Sequence, residues 1–119
     1  MKTKIILVFI ILTSCSNPNA CPEIVFDTVN KITTTTNGDL YTGRCSTYTN
    51  DTLRSIQQYL NGKDYGSWVF YFSDGSTETK GSFNKNGQRI GNWNYYHENG
   101  ERKQIARYSK DGDRIGKWT

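Results

Sequence analysis

Residues 86–100 read NGQRIGNWNYYHENG, and this stretch decides the fold. An Asn-Gly pair, a Gly-x-Trp triplet, two tyrosines and a second Asn-Gly follow one another, and none of these is a usual catalytic type. The same text returns when the chain is shifted by 25 residues: Gly62, Gly87 and Gly112 coincide, as do Gly66, Gly91 and Gly116, and Trp68, Trp93 and Trp118. The neighbouring copies are NGKDYGSWVFYFSDG at 61–75 and DGDRIGKWT at 111–119. A degraded copy, NGDLYTGRCSTYTND at 37–51, has Cys45 in the Trp position and Tyr48 in the Tyr position. Self-similarity at a fixed period of ~20–50 residues is the mark of a repeat architecture.

Each copy carries two turn signals. Asn61-Gly62, Asn86-Gly87 and Asp111-Gly112 precede the Gly-x-Trp; Asp74-Gly75 and Asn99-Gly100 follow the aromatic run. Asn, Asp and Gly tolerate the positive φ of tight hairpin turns. Between the turns, WVFYF and WNYYH are rich in the residues that suit a pleated surface. Strand alternation puts Trp68, Phe70 and Phe72 on one face and Val69 and Tyr71 on the other, and sets Trp93 and Tyr95 against Tyr96. The return segments LRSIQQY, TETKGSF and RKQIARY each end in an aromatic residue, Tyr59, Phe83 and Tyr108. Gly81 and Ala106 share one position, where a close neighbour leaves little room. No helical periodicity follows the leader. The expected fold is all-β: tandem β-hairpin repeats of about 25 residues stacked into an extended antiparallel meander, because a single hairpin is marginal in water.

The first residues are a different kind of text. Lys2 and Lys4 form a basic start, Ile5 to Leu12 an apolar run too short to span a bilayer. Leu12-Thr13-Ser14-Cys15 resembles a bacterial lipoprotein signal, in which the cysteine takes a diacylglycerol and becomes the new N-terminus. The rival, secretion with cleavage after Ala20, is disfavoured by Pro18. The expected organisation is a signal at 1–14, a polar tether at 15–22, N-terminal capping strands at 23–36 and repeats at 37–119. Lipidation of Cys15 leaves Cys21 and Cys45, and an exported chain permits a disulfide between them that would pin the N-terminal segment onto the first copy. Zinc is not expected, since two cysteines and the single His97 offer no ligand spacing of a known kind.

The formal charge is +4, and loss of Lys2 and Lys4 leaves 4 − 2 = +2. Residues 15–79 hold four basic and seven acidic groups; residues 80–119 hold nine basic and four acidic. Low charge and export speak against nucleic acid as a partner. The strand containing Trp118 is expected to be an edge. No nucleophile elbow, phosphate loop or metal motif is present, and Asp74 and Asp111 lie in turns, where carboxylates bond local amides. No enzyme activity and no cofactor are expected.

The pattern Asn-Gly-x-x-x-Gly-x-Trp-x-x-Tyr-Tyr-x-x-Asn-Gly resembles the MORN-repeat variant of bacterial envelope and secreted proteins, often labelled an antitoxin of a toxin–antitoxin system. The resemblance covers about residues 37–119 and is carried by NGQRIGNWNYYHENG and NGKDYGSWVFYFSDG. It implies stacked hairpins and an interaction role without catalytic residues. GNWNYY followed by a glycine turn is also similar to choline- and glucan-binding wall repeats, in which neighbouring units cage a quaternary ammonium between rings. The expected role is therefore a non-enzymatic protein-interaction module, lipid-anchored through Cys15 in a bacterial envelope, at the outer membrane, with an envelope protein as partner. Tyr71, Tyr96, Arg89 and Arg114 are the candidate contacts. A glycan- or choline-binding module and an antitoxin-like neutralising protein are the alternatives.

Overall fold

The computed structural model describes residues 19–119. They contain no helix and nine strands: β1 (Ile24–Asp27), β2 (Ile32–Thr35), β3 (Gly43–Thr49), β4 (Thr52–Leu60), β5 (Lys63–Asp64), β6 (Gly66–Tyr71), β7 (Thr77–Phe83), β8 (Arg89–Tyr96) and β9 (Arg102–Tyr108). β1 and β2 form a two-stranded sheet. The others form a seven-stranded sheet in the order β3-β4-β6-β7-β8-β9, with the short β5 also on β4. Every pairing of named strands is antiparallel. Sheet order therefore follows chain order, and the three return segments that end in aromatics are β4, β7 and β9.

The turns from β3 onward are of two kinds. Asn50-Asp51 (φ 49° and 65°) and Asn61-Gly62 (φ 49° and 81°) have both central residues at positive φ, the mirror-image two-residue turn that matches strand twist. The others are longer. At 72–76 the Gly75 N–H donates to the Phe72 carbonyl and the Phe72 N–H to the Ser76 carbonyl; the same pair of bonds recurs at 84–88, 97–101 and 109–113. In these the glycine alone takes positive φ, so Asp74, Asn86, Asn99 and Asp111 do not adopt the conformation expected of them. Two of these side chains show what they do instead. The Asp74 Oδ1 accepts the Ser76 N–H at 2.8 Å and the Asn99 Oδ1 accepts the Glu101 N–H at 2.9 Å, which fixes each turn without left-handed strain.

The small sheet clasps the Asn61-Gly62 turn. The Thr33 N–H donates to the Gly62 carbonyl at 2.7 Å, and the Gly62 N–H to the Tyr41 carbonyl at 2.8 Å. A Cβ on Gly62 would stand 2.8 Å from Ile32 Cγ2 and 2.9 Å from the Thr33 carbonyl oxygen, so this glycine serves both conformation and approach. Cys21 and Cys45 form a disulfide that holds the entering chain to β3. Beside it the Cys21 N–H donates to the Ser46 carbonyl at 2.8 Å.

The core is a ladder of rings across the strands. Tyr41–Tyr59, Tyr59–Trp68, Trp68–Phe83 and Phe83–Trp93 meet edge to face at 5.0–5.4 Å between centroids. Such pairs contribute about 0.5–1.5 kcal/mol each beyond burial. Cys45, Tyr59, Trp68 and Trp93 are buried. Along β4, Tyr59 Oη donates to Gln57 Oε1, Gln57 Nε2 donates to Ser55 Oγ, and the Ser55 and Thr47 hydroxyls share a bond, so this buried polar run is satisfied within itself. At the other end, residues 114–119 run along β9: the Ile115 N–H donates to the Arg107 carbonyl, and Ile105 and Thr119 exchange two bonds. The edge that β9 would have left on this side is thereby paired.

Candidate functional site: an arginine-capped aromatic face

The Gly-x-Trp triplet forms a bulge. β7 and β8 pair at Ser82↔Ile90 and Lys80↔Asn94, which leaves Gly91, Asn92 and Trp93 opposite the single residue Gly81. On β4 the same count sets Gly66, Ser67 and Trp68 opposite Gln57, between the Tyr65–Gln58 bond and the Ile56↔Val69 pair. On β9 it sets Gly116, Lys117 and Trp118 opposite Ala106. Each glycine is left-handed, with φ of 65°, 69° and 66° at Gly66, Gly91 and Gly116. The kink folds the indole back over the neighbouring strand. There its N–H donates to a main-chain carbonyl: Trp68 to Gln58 at 2.8 Å, Trp93 to Ser82 at 3.0 Å and Trp118 to Arg107 at 3.1 Å. A buried indole needs such an acceptor. A Cβ on Gly81 would run into the Trp93 ring, so that position must be small.

Two arginines cap these indoles. The Arg89 guanidinium lies 4.6 Å above the Trp93 ring and that of Arg114 3.7 Å above the Trp118 ring. Arg89 Nη1 also reaches the Tyr95 hydroxyl at 3.3 Å and, at a long 3.5 Å, the Tyr108 hydroxyl. Tyr108 in turn meets Trp118 edge to face at 5.1 Å. One cluster thus links both arginines through Tyr108. Both side chains remain exposed, so the guanidinium groups face solvent from a rigid aromatic seat.

The copy at 61–75 differs. Asp64 stands one period before Arg89. Burial pushes its carboxyl above the ordinary range, and Arg89 opposes that shift. The buried Tyr59 phenol is pushed up to about 12, first by desolvation and then by the charges of Asp64 and Tyr41.

The candidate contacts divide between the two ends of the strands. Arg89 opens β8 and Tyr96 closes it, with the Gly91 kink between them. Tyr71 closes β6, where its carbonyl accepts from Arg54 Nε at 3.2 Å. Tyr96 lines a shallow groove of about 290 Å³ with Phe72, Tyr95, Glu78 and Glu98. The two arginines therefore belong to one cluster, and Tyr71 and Tyr96 lie at the opposite edge. Cys15 lies outside the described residues. Tyr95 and Tyr108, which complete the arginine cluster, read in the sequence as a face-sharing and a strand-ending aromatic, not as contacts. The signal was present in RIGNW and RIGKW, where Arg precedes Trp by four residues across the kinking glycine.

Among the described residues no group of three or more His, Cys, Asp or Glu side chains is placed to hold a metal ion, and no helix is long and apolar enough to cross a membrane. No protein-family model, curated protein or solved structure matches the chain.

Proposed function

We propose that this protein is a lipid-anchored, non-enzymatic repeat module that binds another protein in a bacterial envelope, at the outer membrane, through the arginine-capped face. The observation that carries the reading is the seating of Arg89 and Arg114 over Trp93 and Trp118. Arg, Trp and Tyr are the residues enriched at binding hot spots, and a guanidinium held flat loses little freedom on pairing with a carboxylate. The partner surface is accordingly acidic. The recurrence of the Gly-x-Trp bulge with its indole bond in three places supports reading the sheet as stacked units of about 25 residues, and so supports the resemblance to the MORN-repeat variant. The lipoprotein-like Leu12-Thr13-Ser14-Cys15 supports the anchor.

The test is crosslinking in cells followed by mass spectrometry, with Arg89→Ala/Arg114→Ala and Cys15→Ala variants alongside. One enriched partner that is lost in both is the expected result. Unchanged capture by the double-arginine variant removes the site assignment.

The groove beside Tyr95 and Tyr96 favours a second reading, a glycan- or choline-binding wall module, because its rings and its two carboxylates, Glu78 and Glu98, against the one ammonium of Lys103, suit a quaternary ammonium. That reading expects saturable quenching of intrinsic fluorescence by choline or envelope sugars; a flat titration removes it. The antitoxin label of the resembled family corresponds, in this chain, to neutralising a bound protein at the same arginine face.

A further inference from the structure

Of the six large apolar side chains left exposed among the described residues, four gather on one part of the molecule, while Tyr48 and Ile115 lie elsewhere. Val25 and Phe26 are 53 % exposed, Val29 84 % and Leu40 52 %, all on the small sheet or the loop leaving it. Single exposed apolar residues need no explanation, but a cluster does. Ile24, two residues before Phe26, packs against the Cys45–Tyr59–Trp68 core, so β1 grips the domain at its base and overhangs toward its tip. Val29 occupies the apex of the β1–β2 turn, a place where polar residues are the rule.

The charge around this tip is arranged to match. Lys31 and Lys63 are exposed and border a groove with Phe26, Asn30, Asp64 and Asn86. The Asp27 carboxylate is engaged within the hairpin: Oδ1 accepts the Val29 and Asn30 N–H groups at 2.8 and 3.1 Å, and Oδ2 accepts from Asn30 Nδ2 at 2.7 Å. Asp64 is half-buried in the groove, and Glu23 lies at the base of the hairpin, away from the apex. The tip therefore offers apolar groups and lysines outward, with its own carboxylate turned to the turn amides.

The chain outside the described residues says what lies opposite. Three residues separate Cys15 from Asn19, so the two α-carbons are four steps apart, a reach of at most about 14 Å. With Cys15 carrying lipid, the domain is held that close to the bilayer, and the small sheet is the part next to it in sequence and fixed to the same strand by the Cys21–Cys45 bond.

We propose that the β1–β2 hairpin seats on an anionic lipid surface, with Val25, Phe26 and Val29 entering the head-group boundary and Lys31 and Lys63 facing lipid phosphates. This rests on the reading of Cys15 as the lipidated residue. Three apolar side chains hold a surface weakly by themselves. Tethering turns the contact into an intramolecular one, so the anchor supplies attachment and the hairpin supplies orientation. Long lysine stems suit the role, because they lie along apolar surface while the ammonium stays among phosphates.

The test uses the full lipidated chain in vesicles of phosphatidylethanolamine and phosphatidylglycerol. An environment-sensitive fluorophore is attached at Val29→Cys or, as control, at Asn99→Cys on a turn at the opposite edge, and intact mass reads the acyl group on Cys15. The expected result is an acylated protein whose label at 29 shifts to the blue, brightens severalfold and is quenched by nitroxide lipids, while the label at 99 does none of these. A solvent-like label at 29 on an acylated protein overturns the hairpin contact and leaves the anchor standing. An unacylated chain overturns the anchor, and the hairpin proposal with it. A blue-shifted label at 29 in a Cys15→Ala chain without vesicles means that protein, a second copy or this chain itself, covers the apex, and overturns the lipid assignment. Lys31→Glu with Lys63→Glu is expected to weaken the shift at 29; an unchanged shift removes the lysines from the contact.

Discussion

Trp68 and Trp93 occupy the same place in successive copies, yet the molecule closes over them differently. Trp68 sits among Tyr59, Phe70 and Phe83, beside a cluster that includes the Cys21–Cys45 bond, Ile24 and Tyr41. Trp93 lies over a glycine and is roofed by Arg89. The N-terminal end is sealed covalently by chain from outside the pattern. The C-terminal end is sealed by charged side chains from within it. The same bulge thus serves two purposes. A roof of buried apolar groups closes one end, whereas a guanidinium roof completes the packing and still leaves N–H groups for a partner.

The difference is sharpest under reduction. Cys45→Ser, or reductant, is expected to cost about 3 kcal/mol for a closed loop of this separation. Denaturant midpoints with and without reductant read the loss, and amide exchange should rise over β1–β3 while β8 and β9 hold. Equal loosening at both ends would show that the two seals are coupled.

Gly81→Ala comes next. Its Cβ must displace the Trp93 ring, and overpacking of this kind costs about 1–3 kcal/mol. The effect should be confined to the Arg89–Trp93 end, seen as a changed indole environment. A neutral substitution would mean that the ring has room to slide.

Arg114→Ala should cost only about 0.5–1 kcal/mol of stability, as an exposed cation–π contact does. Thermal unfolding in low and high salt reads it. A much larger loss would make the arginine chiefly a structural roof rather than a contact.

Asp64→Asn is the smallest, within about 0.5 kcal/mol, and its sign is opposite. The Asp64 carboxyl is raised in the fold, so at neutral pH the unfolded chain accommodates its charge more easily, and the amide should stabilise slightly. The gain should be present at neutral pH and vanish as pH falls through the raised folded value toward the ordinary carboxylate range, where the acid is protonated in both states. A gain that grows on acidification would be inconsistent with this linkage.

Much of this architecture was legible in the sequence, because turns and rings announce themselves locally. LRSIQQY, TETKGSF and RKQIARY became β4, β7 and β9. What escaped was register. Whether Asn86-Gly87 makes a two-residue turn or the end of a longer one depends on hydrogen bonds that Asn84 and Gln88 make across the hairpin. The same holds for the arginines: period-two alternation places Arg89 and Trp93 on one face but too far apart to stack, and only the left-handed Gly91 shortens the path. The alternation inferred for Tyr95 and Tyr96 likewise meets a register shift between them, opposite Gln104 and Arg102.

Sheet order that follows chain order also determines how this molecule meets mechanical load. A pull applied between Asn19 and Thr119 acts across the strands rather than along them, so the ladders open one rung at a time, like a peeled strip, instead of shearing together. The Cys21–Cys45 bond withholds the chain between those residues from that extension, and lengthening must begin beyond it. Held at one end and drawn at the other, the protein would yield gradually, hairpin by hairpin, as a compliant link.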